Sequence, residues 1–299
     1  MNRFFRVFVI VFVVVGFLSC TSSSNSKTTE QLSGSSVWKI SKGGNTLFLG
    51  GSIHILREED FPLPKEFDTA FSQSSILVLE TDIEKMGDAE VMQYLMMRMF
   101  LGEGKTLESL LDRETYLMLE AKCLEFGFPI ENVSMFKPSM IMLMLTMLEI
   151  QNSGFVQQGV DMHFFERARQ ENKQLGFLEE IETQINIIVS MGEGYENDFV
   201  KYSLQDMYSS TNELTSMVAD WRSGSAKYTE ETLKLMQESW PILYRDFITN
   251  RNIAWLPQIE EYLNSKPVAF VIVGLAHLHG PDGLLLKLSN LGYNVEQFK

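Results

Sequence analysis

Cysteine and histidine are scarce in this chain: 2 cysteines and 4 histidines among 299 residues. So few cysteines exclude a disulfide-stapled scaffold and any four-cysteine zinc or iron–sulfur site. Basic residues are also short, 25 lysines and arginines against 39 acids, for a net charge of −14. Phosphate binding needs a basic surface, so no nucleic-acid partner is expected. Anionic lipid headgroups are unattractive to this surface for the same reason. Long apolar runs are missing too. The stretch from Val7 to Leu18 holds 12 apolar or glycine residues, short of the ~20 that a transmembrane helix needs. Met140 to Leu145 is shorter still. The chain lacks a His-Glu-x-x-His helix, a Gly-x-Ser-x-Gly elbow and a phosphate-binding P-loop. What remains is ordinary globular composition, 45% hydrophobic and 21% charged. That excludes wholesale disorder and suffices for one large domain or two ordinary ones.

The N-terminus has the layout of an export signal. Arg3 and Arg6 precede the apolar run, and Leu18-Ser19-Cys20 closes it. The closing residues resemble a bacterial lipobox, with Cys20 as the lipidated first residue of the mature chain. An uncleaved anchor is the next reading. Residues 1–19 are thus read as a signal peptide and 20–36, rich in serine, threonine and asparagine, as a flexible lipidated tether. The expected location is the cell envelope, with the membrane reached through the lipid anchor. Loss of Arg3 and Arg6 leaves 39 acids against 23 bases. With Cys20 lipidated, Cys123 has no disulfide partner and reads as a small buried apolar residue.

The rest, 37–299, reads as an α/β domain. Val37 to Ile40 and Thr46 to Gly50 flank Gly43-Gly44-Asn45, a hairpin signal. Ile76 to Leu79 and Val268 to Val273 are continuous apolar runs, typical of strands buried on both faces. Lys173 to Leu178 is a weaker strand, and Asn294 to Phe298 a short last one. Helices are predicted over Met86–Leu101, Thr106–Phe126, Pro138–Gln151, Gly159–Asn172, Thr183–Met191, Asn197–Trp221, Gly283–Leu291 and Thr229–Leu263, the last broken near Pro241. Strands at both ends with helices between predict a central mixed sheet of two related halves carrying a helical insertion over about 84–265. Residues 86–147 hold 11 of the 17 methionines. A helical core explains them; an adaptable binding groove is the alternative.

The chemical signal is an internal similarity. Phe48-Leu49-Gly50-Gly51-Ser52-Ile53-His54 and Val271-Ile272-Val273-Gly274-Leu275-Ala276-His277 each run from an apolar strand into Gly-x-x-His. A third strand, Ile76 to Leu79, ends in Glu80. Open α/β sheets place ligands at the carboxyl ends of their strands. Two histidines and a carboxylate form a common ligand set for a divalent transition metal (Mn, Co or Zn), with coordination positions left open. His54, Glu80 and His277 are therefore the candidate metal ligands. The bland alternative is a pair of strand-end histidines bonded to turn backbone. His279 reads as a turn histidine before a fourth ligand, and His163 as a packing or capping residue. Ser52 is a weak candidate nucleophile. One carboxylate of Glu179, Glu180 and Glu182 has the position to join the site.

These residues resemble the TraB/GumN family, which includes the Tiki proteases. The matching features are Gly51-Ser52-Ile53-His54, Leu79-Glu80, Gly159-Val160-Asp161, Leu178-Glu179 with Gln184, Arg251-Asn252 and Gly274-Leu275-Ala276-His277-Leu278. Gly280-Pro281-Asp282-Gly283 and Gly292-Tyr293-Asn294-Val295 resemble its ending. The resemblance spans Val37 to Lys299. It implies a metal-dependent hydrolase of the peptidase kind, with a peptide or protein substrate. It also implies Glu80, Arg251 and Asn252 as catalytic residues, Arg251 as an oxyanion stabiliser. A surface salt bridge is the alternative for Arg251. Glu180-Ile181-Glu182 departs from the family's pattern. The competing function is a non-catalytic lipoprotein that sequesters a peptide or signal. A passive structural protein leaves the polar residues at buried strand ends unexplained.

Overall fold

The computed structural model describes residues 34–155, 158–207 and 210–299. The predicted signal peptide, Cys20 and most of the predicted tether lie outside the described residues. The packed chain starts slightly before Val37, because Ser35 and Ser36 are already fully buried. Ser36 Oγ donates to the Trp221 carbonyl at 2.9 Å.

The fold is α/β. Six strands form one mixed sheet: β1 Val37–Lys42, β2 Asn45–Ser52, β3 Ile76–Leu79, β4 Gln174–Phe177, β5 Ala269–Gly274 and β6 Asn294–Gln297. Their spatial order is β4-β3-β5-β2-β1-β6. β1 and β2 form the predicted hairpin, with Lys42 opposite Asn45. Its two-residue turn, Gly43-Gly44, has positive φ at both positions (59° and 89°). That twist matches the flanking strands and strains any residue with a Cβ. β2, β5, β3 and β4 all run parallel, so their carboxyl ends share one edge. Every residue of β3 and β5 is buried, as their unbroken apolar character requires.

The chain divides into two compact units. One comprises Asp82–Gly154 and Glu180–Glu213, and its regular structure is helical. The other holds the whole sheet, in the described parts of Val13–Thr81, Phe155–Glu179 and Leu214–Lys299. Between β3 and β5 the chain thus returns to the sheet once, as β4. In the sheet unit the Lys65–Gln73 helix, which the sequence reading passes over, buries Phe67, Ala70 and Phe71 at helical spacing. Phe67 and Phe71 meet Phe164 of the Val160–Gln170 helix, and Phe67 also meets Phe270 and Trp221. This aromatic cluster covers Phe270 of β5, the central parallel strand, and fixes the helix start at Val160 against the sheet edge.

In the helical unit, the expected single helix Thr106–Phe126 is two, Leu107–Leu110 and Arg113–Glu125. The break follows from capping: Thr106 caps the first, and Asp112 accepts the Thr115 N–H at 2.7 Å to start the second. The span 197–221, whose later part from Leu214 belongs to the sheet unit, likewise falls into Glu196–Asp206 and Ser210–Ser223. The methionines divide between both readings. Met140 and Met142 are core, whereas Met96, Met97 and Met135 are more than half exposed. Cys123 is buried, and burial pushes its thiol up to about 12. Among the described residues no helix is long and apolar enough to cross a membrane.

Candidate functional site

Four parallel strands deliver four polar side chains to one edge. His54 follows the end of β2, Glu80 follows β3, Glu179 follows β4 and His277 follows β5. β5 lies between β3 and β2, so Gly274 at its end is the natural meeting point. A Cβ built on Gly274 would stand 3.3 Å from Glu80 Oε1, 3.5 Å from His54 Nε2 and 3.6 Å from His277 Cδ2. The absent side chain leaves the space on which the three groups converge.

Three more residues come from the Asn250–Asn264 helix, which buries Arg251, Asn252 and Trp255. A π turn, Arg245–Thr249, feeds directly into it. Arg251 and Trp255 are four residues apart and share one face of the helix; the guanidinium lies 4.5 Å over the indole. Arg251 is buried and not a surface ion-pair residue. Its NH2 donates to Glu80 Oε2 at 2.5 Å and to Glu179 Oε1 at 2.7 Å. Its Nε also donates to Glu179, and its NH1 donates to His277 Nε2 at 2.9 Å. Trp255 Nε1 donates to the other Glu179 oxygen at 3.0 Å. Glu179 is therefore the member of the acidic run that joins the cluster. Glu180, by contrast, pairs with Lys85 at the surface.

Each histidine is held by its Nδ1. Because Arg251 donates to His277 Nε2, that nitrogen is the acceptor and the ring proton sits on Nδ1. His277 Nδ1 then donates to Asn252 Oδ1 at 2.7 Å. Asn252 is fixed in turn by donating to the carbonyls of His277 (3.0 Å) and Asp282 (2.8 Å). His54 Nδ1 lies 2.9 Å from Asp161 Oδ1. That approach is off the axis of the ring N–H, closer to an ion pair than to a straight hydrogen bond. Ser52 Oγ donates to the same Asp161 oxygen at 2.7 Å, so the serine supports a carboxylate and does not face His54 as a nucleophile.

Burial sets the charges. It pushes the Glu80 carboxyl up, but Arg251, His277, His54 and the Gly274 N–H together outweigh it and bring the group to about 2. Burial and then Arg251 push His277 down to about 3, so its ring is neutral. Burial lowers His54, but the Asp161 charge and contact turn the net shift upward. Asp161 is held below its ordinary value: burial raises it, and His54 and Ser52 more than reverse that. Glu80 and Asp161 are thus held as carboxylates beside the Arg251 guanidinium and the upward-shifted His54.

The donor chemistry fits a divalent metal ion. His54 Nε2, Glu80 Oε1 and the His277 ring border one space, and each of these two histidines has an oxygen behind its Nδ1, as metal-binding histidines do. The side chains are not drawn in as ligands here: among the described residues no group of three or more His, Cys, Asp or Glu forms a ready metal cage. His277 Nε2 and Glu80 Oε1 are 4.0 Å apart, against roughly 3.3 Å for neighbouring ligands of a tetrahedral ion with bonds of 2.0–2.1 Å. Arg251 bridges them. His54, Glu80 and His277 are the residues that would hold such an ion.

The other histidines are elsewhere. His279 packs edge-on to Trp38 at 5.2 Å, and His163 sits between Phe61 and Phe164. Asp161 and Trp255 join the site although neither has a role in the sequence pattern alone. A spacing of four from Arg251 on a helix was the available signal for the tryptophan. Nothing local in the sequence ties Asp161 to His54.

The sequence profile of the TraB/PrgY/gumN family matches residues 36–297, nearly the whole chain. No curated protein and no solved structure is significantly similar to it.

Proposed function

The chain belongs to the TraB/PrgY/gumN family, and on that footing we propose that it is a metal-dependent hydrolase of the peptidase kind, anchored at the cell envelope through lipid on Cys20. The observation that carries this reading is the convergence of His54 Nε2, Glu80 Oε1 and His277 on the space beside Gly274. His54, Glu80 and His277 would hold a divalent ion, of which Mn, Co and Zn suit the donors. When bound, such an ion lowers the pKa of water and polarises a carbonyl.

The protein's own groups divide the remaining work. Glu80 has both oxygens tethered, one by the Gly274 N–H at 2.6 Å and one by Arg251, which makes it a fixed ligand. Asn252 fixes the His277 ring as its Nδ1–H tautomer, with the Nε2 lone pair on Arg251 NH1. Arg251 brings positive charge beside the three groups, where it would stabilise a tetrahedral oxyanion on the substrate. Glu179 and Trp255 hold the guanidinium in place. His54 and Asp161, each with 17% of the side chain exposed, form the solvent side, where a peptide or protein substrate would enter.

A peptide-library cleavage screen, with and without chelator, tests the reading. Cleavage that chelator abolishes and a divalent ion restores supports it; chelator-insensitive cleavage contradicts it. The second reading is a non-catalytic peptide- or signal-binding lipoprotein. It draws on the exposed Met96, Met97, Phe100 and Met135, since such side chains adapt to varied apolar partners. Binding without cleavage in the same screen would favour it. Anchoring is tested separately: Cys20→Ser should lose fatty-acid labelling and release the protein from membranes.

A further inference from the structure

We propose that Asp161, steadied by Ser52, is the positioning residue that turns His54 toward Gly274, so that the two histidines are oriented by different devices. This rests on the metal-site reading above for its consequence, though not for its geometry. The start of the Val160–Gln170 helix is docked on the main chain of His54 itself. The Val160 N–H donates to the Ile53 carbonyl at 3.1 Å. A Cβ on Gly159 would lie 2.2–2.3 Å from the Cα, C and O of His54, so the two backbones touch with no room for a side chain. The docked first turn brings Asp161 to His54 Nδ1. Ser52, the last residue of β2 and 3% exposed, donates to the same carboxylate oxygen. Strand end, helix start and histidine are thereby locked to one another.

With the carboxylate at Nδ1, the neutral ring keeps its proton there and leaves the Nε2 lone pair directed at the shared space. His277 reaches the same Nδ1–H tautomer through a neutral amide, Asn252, with its Nε2 accepting from Arg251 NH1. In solution neutral imidazole has no such compulsion; the tautomer follows the bond made by the other nitrogen. An oxygen behind a ligating histidine also strengthens it, and removing one costs ~10–100-fold in metal affinity.

The test uses the purified protein labelled with ¹⁵N-histidine. Four rings are few enough to resolve, and His54→Gln assigns the one of interest. Long-range ¹H–¹⁵N correlations, recorded metal-free at a pH where the ring is neutral, should show His54 protonated at Nδ1. Asp161→Ala should shift it to a mixture rich in the Nε2–H form. Asp161→Asn, nearly the same shape, serves if the alanine variant does not fold, and should give a smaller shift. Mn²⁺ titration followed by electron paramagnetic resonance should then give a ~10–100-fold weaker site in Asp161→Ala and a smaller loss in Ser52→Ala. A wild-type His54 protonated at Nε2, or a tautomer indifferent to Asp161, overturns the proposal. A wild type that shows the Nδ1–H form but binds no Mn²⁺, Zn²⁺ or Co²⁺ upholds the positioning role and defeats the metal reading, so the two fail separately.

Discussion

Gly274→Ala should separate folding from function. Gly274 has φ −52° and ψ 137°, a conformation alanine adopts without strain. The new methyl would sit 3.3–3.6 Å from Glu80 Oε1, His54 Nε2 and the His277 ring. The 3.3 Å contact is tight by a few tenths of an ångström and costs on the order of 0.5 kcal/mol, offset by the ~0.4–1 kcal/mol that alanine gains through the unfolded chain. Stability should therefore change by less than about 1 kcal/mol, or roughly 2–4 °C in Tm. The site should suffer far more. Drawing His277 Nε2 and Glu80 Oε1 together from 4.0 Å would drive the donors into the methyl, an overpacking cost of about 1–3 kcal/mol. That corresponds to a roughly 5- to 150-fold loss of metal affinity. The assays are a thermal melt and a Zn²⁺ or Mn²⁺ titration on the same sample. An alanine variant that binds the ion as tightly as wild type would refute the argument that the donors close on the space beside Gly274.

Other perturbations give contrasting results. Gly159→Ala should cost about 3 kcal/mol or more, because its Cβ meets His54 main chain at 2.2–2.3 Å and backbone cannot yield; denaturant melts measure it. Asn252→Ala should cost about 3 kcal/mol, since it strips hydrogen bonds from two buried carbonyls and frees the His277 ring; urea titration with a metal titration separates the two effects. His279 is buried and pushed by that burial from 6.5 to about 4. The unfolded chain takes up its proton first, so stability is whole above pH 6.5, falls as pH drops toward 4, and loses nothing further below. The loss is about 3 kcal/mol at most. His279→Leu should flatten that part of the stability–pH curve; an unchanged slope would remove His279 from the account.

The strands were legible because burial on both faces leaves an unbroken apolar run, as in Ile76–Leu79 and Ala269–Gly274. The paired Gly-x-x-His pointed to one sheet edge for a topological reason: parallel neighbours must end on the same side. Helix ends were less legible. Asp112 splits Thr106–Phe126 through a side-chain cap, and caps compete with propensity over a single residue. The Lys65–Gln73 helix escaped because its apolar face is only Phe67, Ala70 and Phe71. Partner choice at the site was hidden altogether. Whether Glu179, Glu180 or Glu182 joins Arg251 depends on where β4 stops relative to the helix carrying Arg251, a tertiary quantity. The same holds for Asp161, which is 107 positions from His54 in sequence but reaches it across the docked helix start.

On the proposed function, His54, Glu80 and His277 would share one divalent ion. Crystals of the purified protein equilibrated with Zn²⁺ or Mn²⁺, measured on both sides of the metal's absorption edge, test it most directly. One anomalous peak is expected beside Gly274, about 2.0–2.2 Å from His54 Nε2, His277 Nε2 and a Glu80 oxygen, with the Arg251 NH1 withdrawn from His277. A metal-soaked crystal with no peak there, and Arg251 still donating to His277 Nε2 and Glu80, would contradict it.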